Sequence, residues 1–167
     1  EMQMGHGLPI TGRVLALGAR PTIGIDVESN ISGELLWAAR FALQVQRGLA
    51  NVSINGTGKE VSAVAIPARQ ALEWVTIDGA RALNMADRIG SLTPSKQADL
   101  IFIRTDDLNL FPSHRPVETV LFQSHSGNVD TVLVAGKPLK RGGRLLYSDL
   151  SAKKAALAES GIRLLRN

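Results

Sequence analysis

Asp87-Arg88-Ile89-Gly90-Ser91-Leu92-Thr93-Pro94-Ser95-Lys96-Gln97-Ala98-Asp99-Leu100-Ile101-Phe102-Ile103-Arg104 is where this chain changes character. Upstream, apolar residues recur at helical spacing; downstream, they gather in short runs rich in Val, Ile and Leu, punctuated by glycine and proline. Ile89–Leu92, Ala98–Arg104, Val117–Phe122, Val129–Ala135 and Arg144–Leu146 read as strands. Thr93-Pro94-Ser95-Lys96 reads as a turn, Ala135-Gly136-Lys137-Pro138 as a tight hairpin and Arg141-Gly142-Gly143 as another. Ser151–Leu165 closes the chain as an amphipathic helix, capped by Asp149 or Ser151. Residues 88–167 are therefore expected to form a small antiparallel sheet with a terminal helix.

Upstream, Pro67 opens a helix running to about Ile77, with Ala71, Leu72 and Val75 inward. A second short helix packs Ala80, Ala82 and Leu83, with Asp78 as its expected cap. Gly48–Ser62 is polar and reads as a surface loop. Its Gly56-Thr57-Gly58-Lys59 lacks the glycine at position 53 and the Ser or Thr at position 60 that a phosphate-binding loop requires. Earlier still, Glu34–Gln46 reads as a helix with a broad apolar face, capped by Asn30 or Ser32. Thr22-Ile23-Gly24-Ile25 reads as a buried strand that stops at Asp26, and Pro9–Leu17 as a short helix ended by Gly18. Helix, glycine, strand, Asp, loop, helix is the order of a βα unit. In parallel α/β folds functional side chains sit at the carboxyl ends of strands, where Asp26 stands.

Composition removes several classes. The 167 residues include no cysteine, which excludes disulfide frameworks, cysteine nucleophiles and thiolate zinc sites. They are too few for a closed (β/α)8 barrel, which takes about 250. No apolar run reaches the roughly 20 residues that span a bilayer, and the N-terminus has no signal-like pattern, so a soluble cytoplasmic protein is the expectation. Glu1 in place of an initiator methionine points to an engineered start, a cleavage product or a fragment. The +4 net charge is concentrated late, at Lys137, Lys140, Arg141, Arg144, Lys153, Lys154, Arg163 and Arg166. With 4% aromatic residues, and Tyr147 alone near that cluster, it reads as a solvated face and not as a nucleic-acid surface.

Three ordered segments resemble the C-terminal region of the amidohydrolase superfamily. They are Thr76-Ile77-Asp78-Gly79-Ala80-Arg81-Ala82-Leu83, Asp87-Arg88-Ile89-Gly90-Ser91-Leu92 with Ala98-Asp99-Leu100-Ile101, and Asn128-Val129-Asp130-Thr131-Val132-Leu133-Val134-Ala135-Gly136-Lys137. Gly18-Ala19-Arg20-Pro21-Thr22-Ile23-Gly24-Ile25-Asp26 is similar to that family's last barrel strand, which ends in its metal-site aspartate. The resemblance runs from about Met4 to Leu146 and is nearest the cytosine-deaminase and triazine-hydrolase-like branch. It implies an α/β chain holding the last unit or units of a (β/α)8 metal-dependent hydrolase barrel plus the C-terminal part of a small composite β-sandwich. It also implies three segments: a terminal barrel βα segment and loop over 1–66, connecting helices over 67–87, and sandwich strands with the terminal helix over 88–167.

The resemblance further implies metal-assisted hydrolysis of C–N bonds, by deamination or by opening of a cyclic amide or amidine. A divalent metal, commonly Zn²⁺, would activate water in the full-length parent. Asp26 matches the carboxylate that ligates metal and moves the proton. His6, in the loop between Gly5 and Gly7, reads as a substrate contact or a solvent-facing loop histidine. Glu28 and Asn30 flank Asp26 as substrate contacts, although helix capping explains Asn30 equally well. His114 and His125 fall among the sheet strands and read as structural, and Trp37 and Trp74 as core residues.

Three departures stand beside the match. No His-x-His pair occurs, the only histidines being His6, His114 and His125, so no metal is expected in the isolated chain. Ser95 occupies a turn position where the family usually has glycine, which points to another turn type. Asp26-Val27-Glu28-Ser29 lacks the glycine that many members carry after the aspartate, leaving the substrate class open. A small-molecule substrate in the parent, no nucleic acid, no membrane, and either a homo-oligomer or association with a missing N-terminal portion are the expected partners. The alternative reading is a non-catalytic α/β assembly or binding module derived from such an enzyme.

Overall fold

The computed structural model describes residues 2–165; Glu1 and Arg166, read above as the N-terminal residue and part of the basic tail, lie outside them. In chain order the elements are α1 (Thr11–Ala16), α2 (Leu35–Asn55), α3 (Ala68–Trp74), α4 (Ile77–Ala82), β1 (Leu100–Ile103), α5 (Pro116–Gln123), a 3-10 turn (Ser126–Asn128), β2 (Val129–Val134), β3 (Lys137–Arg141), β4 (Arg144–Leu145) and α6 (Leu150–Leu165). The result is a mixed α/β fold: α2, α3, α4 and α5 pack on one another, and the strands form a four-stranded antiparallel sheet of order β1-β2-β3-β4.

The core lies between helices. On α2, Ala38, Ala39, Ala42, Leu43 and Gln46 recur at one and four residues and form one buried stripe. Ala39, Ala42 and Leu43 meet Ala68, Ala71 and Trp74 of α3 and Leu121 of α5. Alanines on both facing helices leave room for the fully buried Trp74 between them. Two arginines of α2 reinforce the contact. Arg40 donates to the carbonyls of Leu121 (2.7 Å) and Ser124 (2.6 Å), satisfying acceptors that the end of α5 leaves free. Arg47 donates to Ile66 and lies 5.3 Å from the Phe122 ring centroid.

Here the structure corrects the sequence reading. Val117–Phe122 is helical: Pro116 sits at the first turn with Glu118, and Val117, Val120 and Leu121 follow helical spacing, so a short apolar run was ambiguous by composition. Ile89–Leu92 forms turns instead of a strand. The region read as a loop from Gly48 is largely helix, because α2 continues to Asn55. Asp78 does not cap α4; Thr76 holds that position, and the Asp78 carboxylate accepts from Arg20 and Arg81. Thr22–Ile25 is not a strand: it has no regular secondary structure and, among the described residues, pairs with no strand. A parallel strand needs neighbours to take its backbone groups.

In the sheet the quoted motifs come together. Leu100 pairs with Leu133 and Ile101 with Val132, while the Asp99 carboxylate accepts from the Ala135 amide at 2.7 Å. Ala135 and Gly136 both have positive φ (47° and 78°), the conformation that a two-residue hairpin between twisted strands requires. Asp99 therefore holds the β2–β3 turn. Ser95 has φ 74°, so the turn keeps the positive-φ backbone suited to glycine and serine adopts it, contrary to the expected change of turn type. Lys96 folds back from this turn onto the Ala86 carbonyl and the Ser91 hydroxyl (2.7 Å).

Candidate functional site

Asp26 follows the Thr22–Ile25 segment in a constrained turn. The Val27 amide donates to the Ile25 carbonyl at 2.8 Å, and Asp26 between them has φ 62°. A hydrogen bond closing over three residues with positive φ at the centre is the rare, strained γ-turn. Such a conformation at a non-glycine residue persists only where its surroundings over-determine it, and functional sites are where it collects. The next turn closes through Asn30, whose amide donates to Val27 at 3.1 Å. Ser32 then accepts from the Glu34 amide at 3.3 Å, just before α2 begins. The N-cap position of α2 is Glu34 and carries no side-chain cap, so the capping expected of Asn30 or Ser32 does not occur: Ser32 closes a local turn onto Glu34 instead.

On the other flank, α1 ends in a Schellman motif. Gly18 (φ 72°) donates to Leu15 and Ala19 donates back to Val14. The chain leaves this motif through Arg20 and Pro21, and Ile23 packs against the core.

A cleft of about 630 Å³ opens where these pieces meet. His6, Asp26 and Asn30 line it together, with Trp37 and Phe41 of α2 on its wall. Glu28 is not among the lining residues; its carboxylate lies over Gly33, where an added Cβ would collide with it. His6 is exposed between two glycines of positive φ.

Trp37 was read as a core residue. It is half-buried and stacks on Phe41, with centroids 5.2 Å apart and planes 10° from parallel. The signal available in sequence was aromatic spacing at i and i+4, which one turn of helix brings together. Trp74 does lie in the core. His125 is structural: its Nδ1 accepts from the Gly127 amide and caps the 3-10 turn, while His114 is exposed.

Among the described residues no group of three or more His, Asp or Glu is placed to hold a metal ion. A catalytic zinc takes three protein ligands, and the cleft offers the Asp26 carboxylate with one imidazole on its rim. These residues alone do not make a metal centre. Among the described residues no helix is long and apolar enough to cross a membrane.

A second polar cluster lies at the sheet. Asp107 accepts from Asn128 (2.6 Å) and from Arg104, while Asn128 and Asn109 exchange amide hydrogen bonds. The Asn128 bond, and then the Arg104 guanidinium, hold the Asp107 carboxyl below the usual carboxylate range. With Asn128 fully buried, this network locks the loop before β2.

Comparison with known proteins places these features in a family. The model of the amidohydrolase family matches residues 4–139. A 5-methylthioadenosine/S-adenosylhomocysteine deaminase from Teredinibacter turnerae is 34% identical over 153 residues, covering 89% of this chain and 34% of the relative. An S-triazine hydrolase from Gordonia rubripertincta is 30% identical, covering 92% and 35%. Among solved structures, a zinc-bound adenosine deaminase from Xanthomonas campestris superposes with a TM-score of 0.85 at 25% identity, over 99% of this chain and 36% of that one. The chain thus spans about a third of the length of the relatives it matches. With most of its length matched by the family model and its motifs meeting in one fold, the chain belongs to the amidohydrolase family.

Proposed function

We propose that this chain is the C-terminal portion of a metal-dependent hydrolase that cleaves C–N bonds of a small nitrogen-containing molecule, by deamination or by hydrolysis of a cyclic amide or amidine. The observation that carries the reading is Asp26, a carboxylate on a strained backbone turn, lining a cleft in a chain of this family. The zinc in related structures supports a divalent metal in the parent, whose further ligands would come from outside this chain. In this reading Asp26 accepts the proton of the attacking water and delivers it to the leaving nitrogen. We assign His6 and Asn30 to substrate contact in the cleft; Glu28, at the outer side of the same loop, contacts substrate only beyond the cleft described here.

The Thr22–Ile25 segment would be the last strand of a (β/α)8 barrel, paired by strands outside this chain, with α2 as its following helix. The four-stranded sheet would be half of a composite β-sandwich, which accounts for exposed apolar residues such as Ile101, Phe102 and Leu139. The divisions at 67 and 88 then mark the barrel segment, connecting helices and sandwich. A self-associated form of the isolated chain follows from the same exposed surface.

The test is ammonia release from aminopurine, aminopyrimidine and amino-triazine compounds by the longer protein that contains this chain, loaded with zinc. Asp26→Asn should lower kcat by about 10²–10⁴, the range a positioned acid–base group supplies. Undiminished turnover in that variant would remove Asp26 from the chemistry.

A further inference from the structure

We propose that Arg20 and Asp78 are positioning residues for Asp26, acting through the segment Pro21–Ile25. The inference rests on the reading of Asp26 as the reaction's carboxylate. Among the described residues no strand pairs with that segment, and within this chain it is held to the other elements by side-chain contacts. One is apolar, Ile23 against the core. The others converge on the first turn of α4.

Arg20 donates from Nη1 to Asp78 Oδ1 at 3.3 Å, joining residues 58 apart in sequence. The Asp78 side chain is 3% exposed and is held in turn by Arg81 at 2.7 Å. Thr22, two residues on, places its Oγ1 3.4 Å from where a Cβ on Gly79 would stand. That is an ordinary van der Waals distance, so Thr22 lies against the first turn of α4 without requiring glycine there. The segment is thus tied to α4 at its entrance and bends at its exit into the positive-φ turn of Asp26. A strained conformation needs fixed flanks to persist. The Asp78 carboxylate, buried and shared by two arginines, supplies one of them.

The test is ¹⁵N relaxation on the 167-residue chain, read residue by residue. Wild-type order parameters over Thr22–Val27 should lie near the rigid-backbone value of about 0.85. Arg20→Met should drop them below about 0.6 while α2 and α3 stay unchanged, and Arg20→Lys should restore them in large part. Asp78→Asn provides the same reading should Arg20→Met fail to fold. Unchanged order in these variants overturns the proposal, and so does an equal loss across α2 and α3. In the longer protein, Arg20→Met should lower kcat about ten- to a hundredfold with KM within about twofold. Full activity in that variant also overturns it. Loss of local order in a protein without hydrolase activity would sink the functional reading and leave the positioning role standing.

Discussion

Gly90 lies directly against Ala80. A Cβ built on Gly90 would stand 2.6 Å from the Ala80 Cβ, 3.0 Å from the Ile77 Cα and 3.1 Å from the Thr76 carbonyl oxygen, and Gly90 itself has φ 85°. Two motifs separate in sequence, Thr76–Leu83 and Asp87–Leu92, are therefore one packing unit. The second folds back onto α4 at the one place where both residues are small.

Gly90→Ala should accordingly destabilise the chain by about 2–4 kcal/mol, combining backbone strain with overpacking against main chain that cannot yield. Gly136→Ala is the control. Position 136 shares the positive φ but has open space around it, so only the conformational cost of about 1 kcal/mol applies. Urea unfolding of both variants checks the difference; equal losses would mean that the Ala80 contact contributes nothing.

Ser95→Gly should stabilise the chain by about 0.5–1 kcal/mol. Serine at φ 74° bears a strain that glycine does not, partly offset by glycine's greater freedom when unfolded. A rise in the urea midpoint at unchanged slope is the expected result, and a fall would contradict the turn geometry.

Leu121→Ala should cost about 2–5 kcal/mol, because Leu121 is fully buried between α2 and α3. Val117→Thr, one turn earlier on the same face but only half-buried, should cost clearly less. Similar losses at both positions would contradict the deeper burial of Leu121.

Asp107 gives a pH signature. Its folded carboxyl titrates below its unfolded range, so the stability it contributes is present above about pH 4 and is lost as pH falls through the lower folded value. The thermal midpoint of Asp107→Asn should lie below wild type at pH 7, and the gap should narrow steadily below about pH 4. A gap independent of pH would show that the charge on Asp107 plays no part in the network.

The break in the chain at Asp26 was legible in sequence because an acid closing a short apolar run after a glycine-terminated helix is a local pattern; the role proposed for it comes from the resemblance. The hairpin at Ala135-Gly136 was legible for the same reason: turn chemistry is local. Val117–Phe122 was not. A run of that length is compatible with strand or helix, and the choice was made by Leu121 entering the gap between α2 and α3 while Arg40 took the carbonyls of Leu121 and Ser124. The same is true of Trp37, whose place beside Phe41 on the cleft wall depends on which face of α2 the core takes.

Sequence alone thus determined the family, the small antiparallel sheet, and the positions of glycine and aspartate where backbone conformation is dictated within a few residues. Tertiary structure decided the rest: that Asp78 serves Arg20 and not a helix cap, that Gly90 exists for Ala80, and that His6, Asp26 and Asn30 share one cleft. Those relations join residues tens of positions apart, and no local propensity encodes them. They follow only once burial fixes which faces meet.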